Sequence, residues 1–195
     1  MGTPMHERAR VPCPGLRGRG LLERAVGFAL ASVQAVTPEM MPRRTPCASW
    51  DLEMLLLHLH DSLTALHEGA ASGRVALERP PPGGDGDPVS SVRVSAVRLL
   101  RATGAPARVE VGDRGLGHDL MAAAGAVEVA VHGWDVAQAS GERRPVPAGL
   151  ADDLLKVCPL VLPEPRGALF ADPVDAAPDA PAGERLIALL GRRPL

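Results

Sequence analysis

Leucines at positions 52, 55, 56, 57, 59, 63 and 66 recur at the three- and four-residue spacing of one helical face, and no other feature constrains the fold so tightly. Ser49 and Asp51 stand in front of this run as N-cap candidates, and the Gly69 to Gly73 region ends it. The spacing predicts a helix over 51–70. The chain holds only two Phe and two Trp and no Tyr, so its core must be built from Leu, Val, Ala and Met, which suits helix packing.

Similar reasoning places further helices. Residues 21–36 carry apolar side chains at helical spacing and stop before Thr37 and Pro38, because a proline disfavours helix at the residue before it. Residues 89–103 predict a third helix. A fourth, over 118–140, closes at Gly141, a natural C′ residue. A short fifth covers 148–158, and GERLIALLGR forms the last. The segment 79–88, RPPPGGDGDP, is a loop, and ARVEVGDRGLG reads as a short extended piece followed by a turn. No repeat of 20–50 residues is present. The expectation is an all-α chain: residues 1–19 a flexible tail, and residues 20–195 a helical bundle with a short C-terminal extension.

The formal net charge is −2 and the arginines are dispersed, with Lys156 the one lysine, so no basic stripe for nucleic acid is expected. The arginine, alanine, glycine and proline richness reads as GC-rich coding. Cys13, Cys47 and Cys158 are an odd, widely spaced set with no CxxC, as in reduced cytosolic proteins. No apolar segment has the length of a membrane span or a signal peptide, so a cytoplasmic monomer or homodimer is expected.

The chemistry lies in AGAVEVAVHGWDVAQASG, residues 124–141. Glu128 and His132 stand four residues apart, one turn from each other and on the same side of the helix. Glu128 is flanked by Val127, Val129, Ala130 and Val131, and a carboxylate buried without a partner costs several kcal/mol. In the second helix His58 sits among Leu55, Leu56, Leu57 and Leu59. Two imidazoles and a carboxylate from facing helices can occupy three corners of a tetrahedron and leave the fourth open, as in zinc enzymes. Spacing alone favours the plainer reading, Glu128 on a solvated edge and His132 satisfied by a core hydrogen bond, because helical i,i+4 pairs are common.

The other histidines compete poorly. His60 lies about 200° round the helix from His58, His67 roughly 180° away and at the surface, and His118 about 15 Å along the axis from Glu128; His6 is in the tail. Of the repeated Trp-Asp pairs, Asp51 reads as an N-cap, and Trp50 and Trp134 as core residues with hydrogen-bonded indoles. Asp135, one turn beyond His132, can orient that imidazole from behind.

Taken together, TPCASWDLEMLLLHL and EVAVHGWDVAQASG resemble the paired motifs of the DinB-like superfamily branch that contains the mycothiol-dependent maleylpyruvate isomerase N-terminal domain. The ending ALFADPVDAAPDAPAGERLIALLGRRP is similar to that of short actinobacterial members. The resemblance runs over roughly 20–194. It implies an up-down four-helix bundle in which His58, Glu128 and His132 hold a divalent metal, zinc first and nickel, iron or manganese next. It also implies mycothiol as thiol cofactor and a small molecule as substrate. The isomerase proper carries a larger C-terminal domain that helps bind substrate, where this chain has a short tail, which points away from maleylpyruvate.

A divalent cation holds a thiol as thiolate at neutral pH. The leading expectation is therefore a metal-dependent thiol transferase or thiol-assisted isomerase, with arginines near the bundle mouth binding acidic groups. Two rivals remain: a hydrolase working through metal-bound hydroxide, and a ligand-binding protein or metal-independent biosynthetic cyclase on the same fold.

Overall fold

The computed structural model describes residues 17–47, 50–76, 86–104, 106–163, 166 and 171–193. Most of the expected tail, Cys13, His6, Ser49 and most of the 79–88 loop lie outside the described residues. The leucine face does form a helix: α2, Leu52–Ser72, fully buries Leu52, Leu55, Leu56, Leu59 and Leu63. Asp51 caps it by accepting the Met54 N–H at 2.9 Å, and Gly73 closes it in the left-handed conformation at φ 73.

The other helices are α1 (Gly18–Val33), α3 (Pro88–Arg101), α4 (His118–Ser140), α5 (Ala148–Val161) and α6 (Ala182–Leu189), with a 3-10 turn at Pro38–Met40. The fifth outruns its expected end, with Pro159 inside it. The ring removes one backbone N–H donor near the end of the helix, and the Leu162 N–H donating to the Cys158 carbonyl at 2.9 Å carries the last turn on.

The central rod is α4, packed against α1, α2 and α5. It has no polar face: between Met121 and Ser140 only Ala124 is exposed and only Glu128 and Gln138 are half-buried. Its approach to α1 is close because Gly133 has no side chain. A Cβ there would come within 2.9 Å of Ala29 Cα and 3.0 Å of Ala29 Cβ.

The all-α expectation needs correction. The extended piece is a hairpin, β2 (Arg108–Val111) with β3 (Arg114–Gly117), turning through Gly112 and Asp113. Gly112 takes φ 61 at the first loop position, where a type II′ turn needs a positive φ. A third strand, β1 (Arg74–Val75), pairs parallel to β2 with Val75 opposite Val111. Two residues carry no readable alternation, and their partners lie far along the chain, so this strand is silent in the sequence. Among the described residues no helix is long and apolar enough to cross a membrane.

Candidate metal centre

Glu128 is the window in the wall of α4. Its Oε1 lies 2.7 Å from His58 Nε2 on α2 and 3.2 Å from His132 Nε2, one turn further along α4. One ligand atom from each of the three residues lies within 4.8 Å of the others. His132 is buried, while His58 and Glu128 are half-buried, so the cluster faces outward on one side only.

Behind His132 stands Asp135, fully buried, its Oδ2 3.1 Å from the imidazole Nδ1. A carboxylate only accepts, so Nδ1 carries the hydrogen and Nε2 is the atom turned toward Glu128. Asp135 is itself held by Arg192, whose Nη2 donates to Oδ2 at 2.9 Å and Nε to Oδ1 at 3.4 Å. The Arg192 Nη1 donates to the Leu190 carbonyl at 3.1 Å, which fixes the guanidinium to the end of α6.

These neighbours set the charges. Burial would push the Glu128 carboxyl up, but the hydrogen bonds and positive charge of His132 and His58 more than reverse it and hold the group well below the usual carboxylate range. Burial would likewise push His132 down, yet bonds to Asp135 and Glu128 raise it to about 9. The cluster thus gathers positive charge at the Nε2 face. A divalent cation fits there: the donors are two imidazoles and a carboxylate, and the proton now held between His132 and Glu128 is what it would displace.

The loop before α2 completes the site. The Thr45 hydroxyl donates to the Trp50 carbonyl at 2.9 Å, and the Cys47 and Arg43 carbonyls accept from Trp50 and Leu52 N–H groups, each at 2.9 Å. This stitching lays Trp50 over the imidazoles, with ring centroids 4.5 Å from His58 and 5.9 Å from His132. Trp50 is half-buried against the site instead of in the core, whereas Trp134 is a core residue. Cys47 is also half-buried here. Burial pushes its thiol up against the opposing charge of Arg192, and Asp135 and Glu128 push the same way as burial, so its protonated form is favoured.

Beside the cluster opens a cavity of about 340 Å³, with Glu128 and Ser62 in its wall. The Ser62 hydroxyl is 3.5 Å from His58 Nε2. The remaining lining is hydrocarbon, and Val75, Val111 and Leu116 bring it from the sheet.

All three residues read from the sequence as a cluster, His58, Glu128 and His132, come together, and Asp135 takes its place behind. His60 turns to α3, where Ser95 Oγ lies 2.7 Å from its Nδ1. His67 is half-buried on α2, not at the surface. Sequence reasoning missed Trp50 as a site wall and Arg192 as the anchor of Asp135. Arg192 itself is taken up by Asp135. The signals were the WD pair before α2 and the GRRP ending, neither of which states its partner.

A family model described as mycothiol maleylpyruvate isomerase N-terminal domain matches residues 22–137. That span includes His58, Glu128, His132 and Asp135, and excludes Arg192. No curated protein and no solved structure matches the chain.

Proposed function

The chain belongs to the mycothiol maleylpyruvate isomerase N-terminal domain family, and from that membership we propose that it is a metal-dependent enzyme using mycothiol on a small electrophile, as a thiol transferase or isomerase. The family is associated with mycothiol-dependent enzymes. The observation that carries the reading is the convergence of His58, Glu128 and His132 at a half-buried window of a largely apolar rod. We read α1 to α4 as the family's up-down four-helix bundle, supported by the packing of α1 on α4 and of α2 on α3 and α4.

In this reading His58, Glu128 and His132 are the ligands, and zinc is the first choice of metal, with nickel, iron and manganese also suited to the donors. A divalent cation there supplies a positive charge that keeps a thiol ionised at neutral pH. Asp135 keeps the proton on His132 Nδ1 and so leaves the Nε2 lone pair to point into the site. Arg192 neutralises Asp135, which would otherwise compete for positive charge. Trp50 covers the imidazoles and excludes water from one side. The thiol proton departs to solvent and the sulfur bonds to the electrophilic carbon: in transfer the bond to the leaving group breaks and takes its electron pair, whereas in isomerisation the carbon–carbon π bond opens onto the neighbouring carbon, the remaining single bond rotates, and the pair re-forms the double bond as the carbon–sulfur bond breaks.

The high proton affinity of Cys47 supports a thiol supplied from outside. The test is turnover of a thiol-reactive substrate by metal-loaded protein with and without mycothiol. Thiol-dependent product, lost in His132→Ala, is expected; equal turnover without thiol would instead favour hydrolysis.

A further inference from the structure

We infer that the electrophile taken by this site is an uncharged, largely hydrocarbon molecule, not an organic acid. The inference rests on the proposed thiol chemistry for the word electrophile and on the cavity alone for the rest. That cavity, about 340 Å³, suits a small ligand; it shares Glu128 with the metal cluster, and its Ser62 lies 3.5 Å from His58 Nε2, so what fills it lies beside the reacting centre.

Its chemistry is one-sided. Among the described residues that line it, Ser62 and Glu128 alone carry polar side chains, and none carries positive charge. Among the described residues a substrate carboxylate here would meet no guanidinium or ammonium partner in the lining, and it would face the carboxylate of Glu128, losing hydration without compensation. Arg192, which reaches the cluster only through Asp135, is occupied on the far side of His132 by Asp135 and the Leu190 carbonyl. A hydrocarbon group, by contrast, gains from contact with Leu66, Val75, Val111, Leu116 and Val161. The cavity therefore fits the hydrocarbon part of the electrophile.

The test uses the full chain, both metal-loaded and chelator-treated, with N-phenyl-1-naphthylamine as an uncharged fluorescent probe. Diethyl maleate and maleate dianion then compete, sharing a carbon skeleton and differing in charge. We expect diethyl maleate to displace the probe at a concentration at least about tenfold below that needed for maleate. Ala124→Trp, an exposed position of α4 in the cavity wall, is expected to weaken probe binding about tenfold with metal content unchanged, and Ala65→Phe on α2 to do the same. Equal displacement by the dianion, or probe binding indifferent to both variants in folded protein, overturns the inference. Failure of the metal and thiol reading would look different: no metal retained or no thiol dependence, with the probe preference intact in the chelated protein.

Discussion

Arg192 and Asp135, 57 residues apart, form a buried two-point ion pair, and through it the C-terminal segment reaches the His58–Glu128–His132 cluster. Asp135 in turn meets His132, and His132 meets Glu128, so four side chains stand in contact from the C-terminal segment to the site. Removing the cation leaves Asp135 charged and sealed from water. Arg192→Ala is therefore expected to cost about 3 kcal/mol of stability, read by chemical denaturation. Arg192→Lys should recover only part, because an ammonium cannot make both bonds at once. Equal stability of wild type and Arg192→Ala would show that the pair contributes nothing.

Asp135→Asn keeps the shape and changes the hydrogen-bond logic. An amide can offer N–H as well as C=O to His132 Nδ1, so the ring is no longer forced to leave Nε2 free. Zinc affinity is expected to fall roughly 10- to 100-fold, measured by competition with a chromogenic chelator. The circular dichroism spectrum should stay that of the wild type. Unchanged affinity would mean that Asp135 serves only as the counter-ion of Arg192.

Loss of a ligand is a separate matter from loss of fold. His58→Ala and His132→Ala each leave a truncated cluster and should bind less than about 0.1 equivalent of metal under conditions that fill the wild type. His58 is half-buried, so its variant should unfold close to the wild-type apoprotein, whereas His132→Ala also strands Asp135 and should be the less stable of the two. Metal content by elemental analysis, set beside melting of the apoproteins, separates these effects. Full occupancy in both variants would remove the cluster as a metal site.

Gly133 offers a packing probe about 100° round the helix from His132. Its Cβ position falls 2.9 Å from the Ala29 backbone, which cannot yield like a flexible side chain. Gly133→Ala gains helix propensity yet forces α1 and α4 apart, and a net loss of about 1 to 3 kcal/mol is expected. Because His132 is its neighbour in sequence, metal affinity should fall as well. A stabilised variant in denaturant titration would mean that the two helices can separate without penalty.

The leucines of α2 and the Glu128–His132 pair were legible in the sequence because both are local: a helical period and a four-residue spacing need no knowledge of distant partners. His58 was harder, since its choice over His60 and His67 rested on helix angles. The structure agrees, turning His60 toward Ser95 instead. What stayed hidden depends on long-range contacts. Strand β1 exists only because β2 lies beside it, Arg192 matters only because α6 delivers it to Asp135, and Trp50 is indistinguishable from a core tryptophan until the Thr45 turn lays it over the imidazoles. The sheet counts twice, for it also supplies the apolar wall of the cavity.

The pH dependence of the apoprotein and of metal binding should run in opposite directions. His132 is raised from 6.5 to about 9 in the folded protein, so the stability its proton confers is fully present below pH 6.5 and is lost as pH rises through 9. Glu128 is lowered, so its contribution is present above its ordinary value of 4.5 and declines only in stronger acid. The chelated protein should therefore lose on the order of 5 °C in Tm between pH 6.5 and 9. Over the same window the metal no longer has to displace a proton from Nε2, so the Tm gain on adding zinc should grow with pH. Melting curves at several pH values, with and without zinc, read both trends. A metal-induced gain that shrinks toward pH 9, in soluble protein with zinc held below precipitation, would contradict proton displacement at His132.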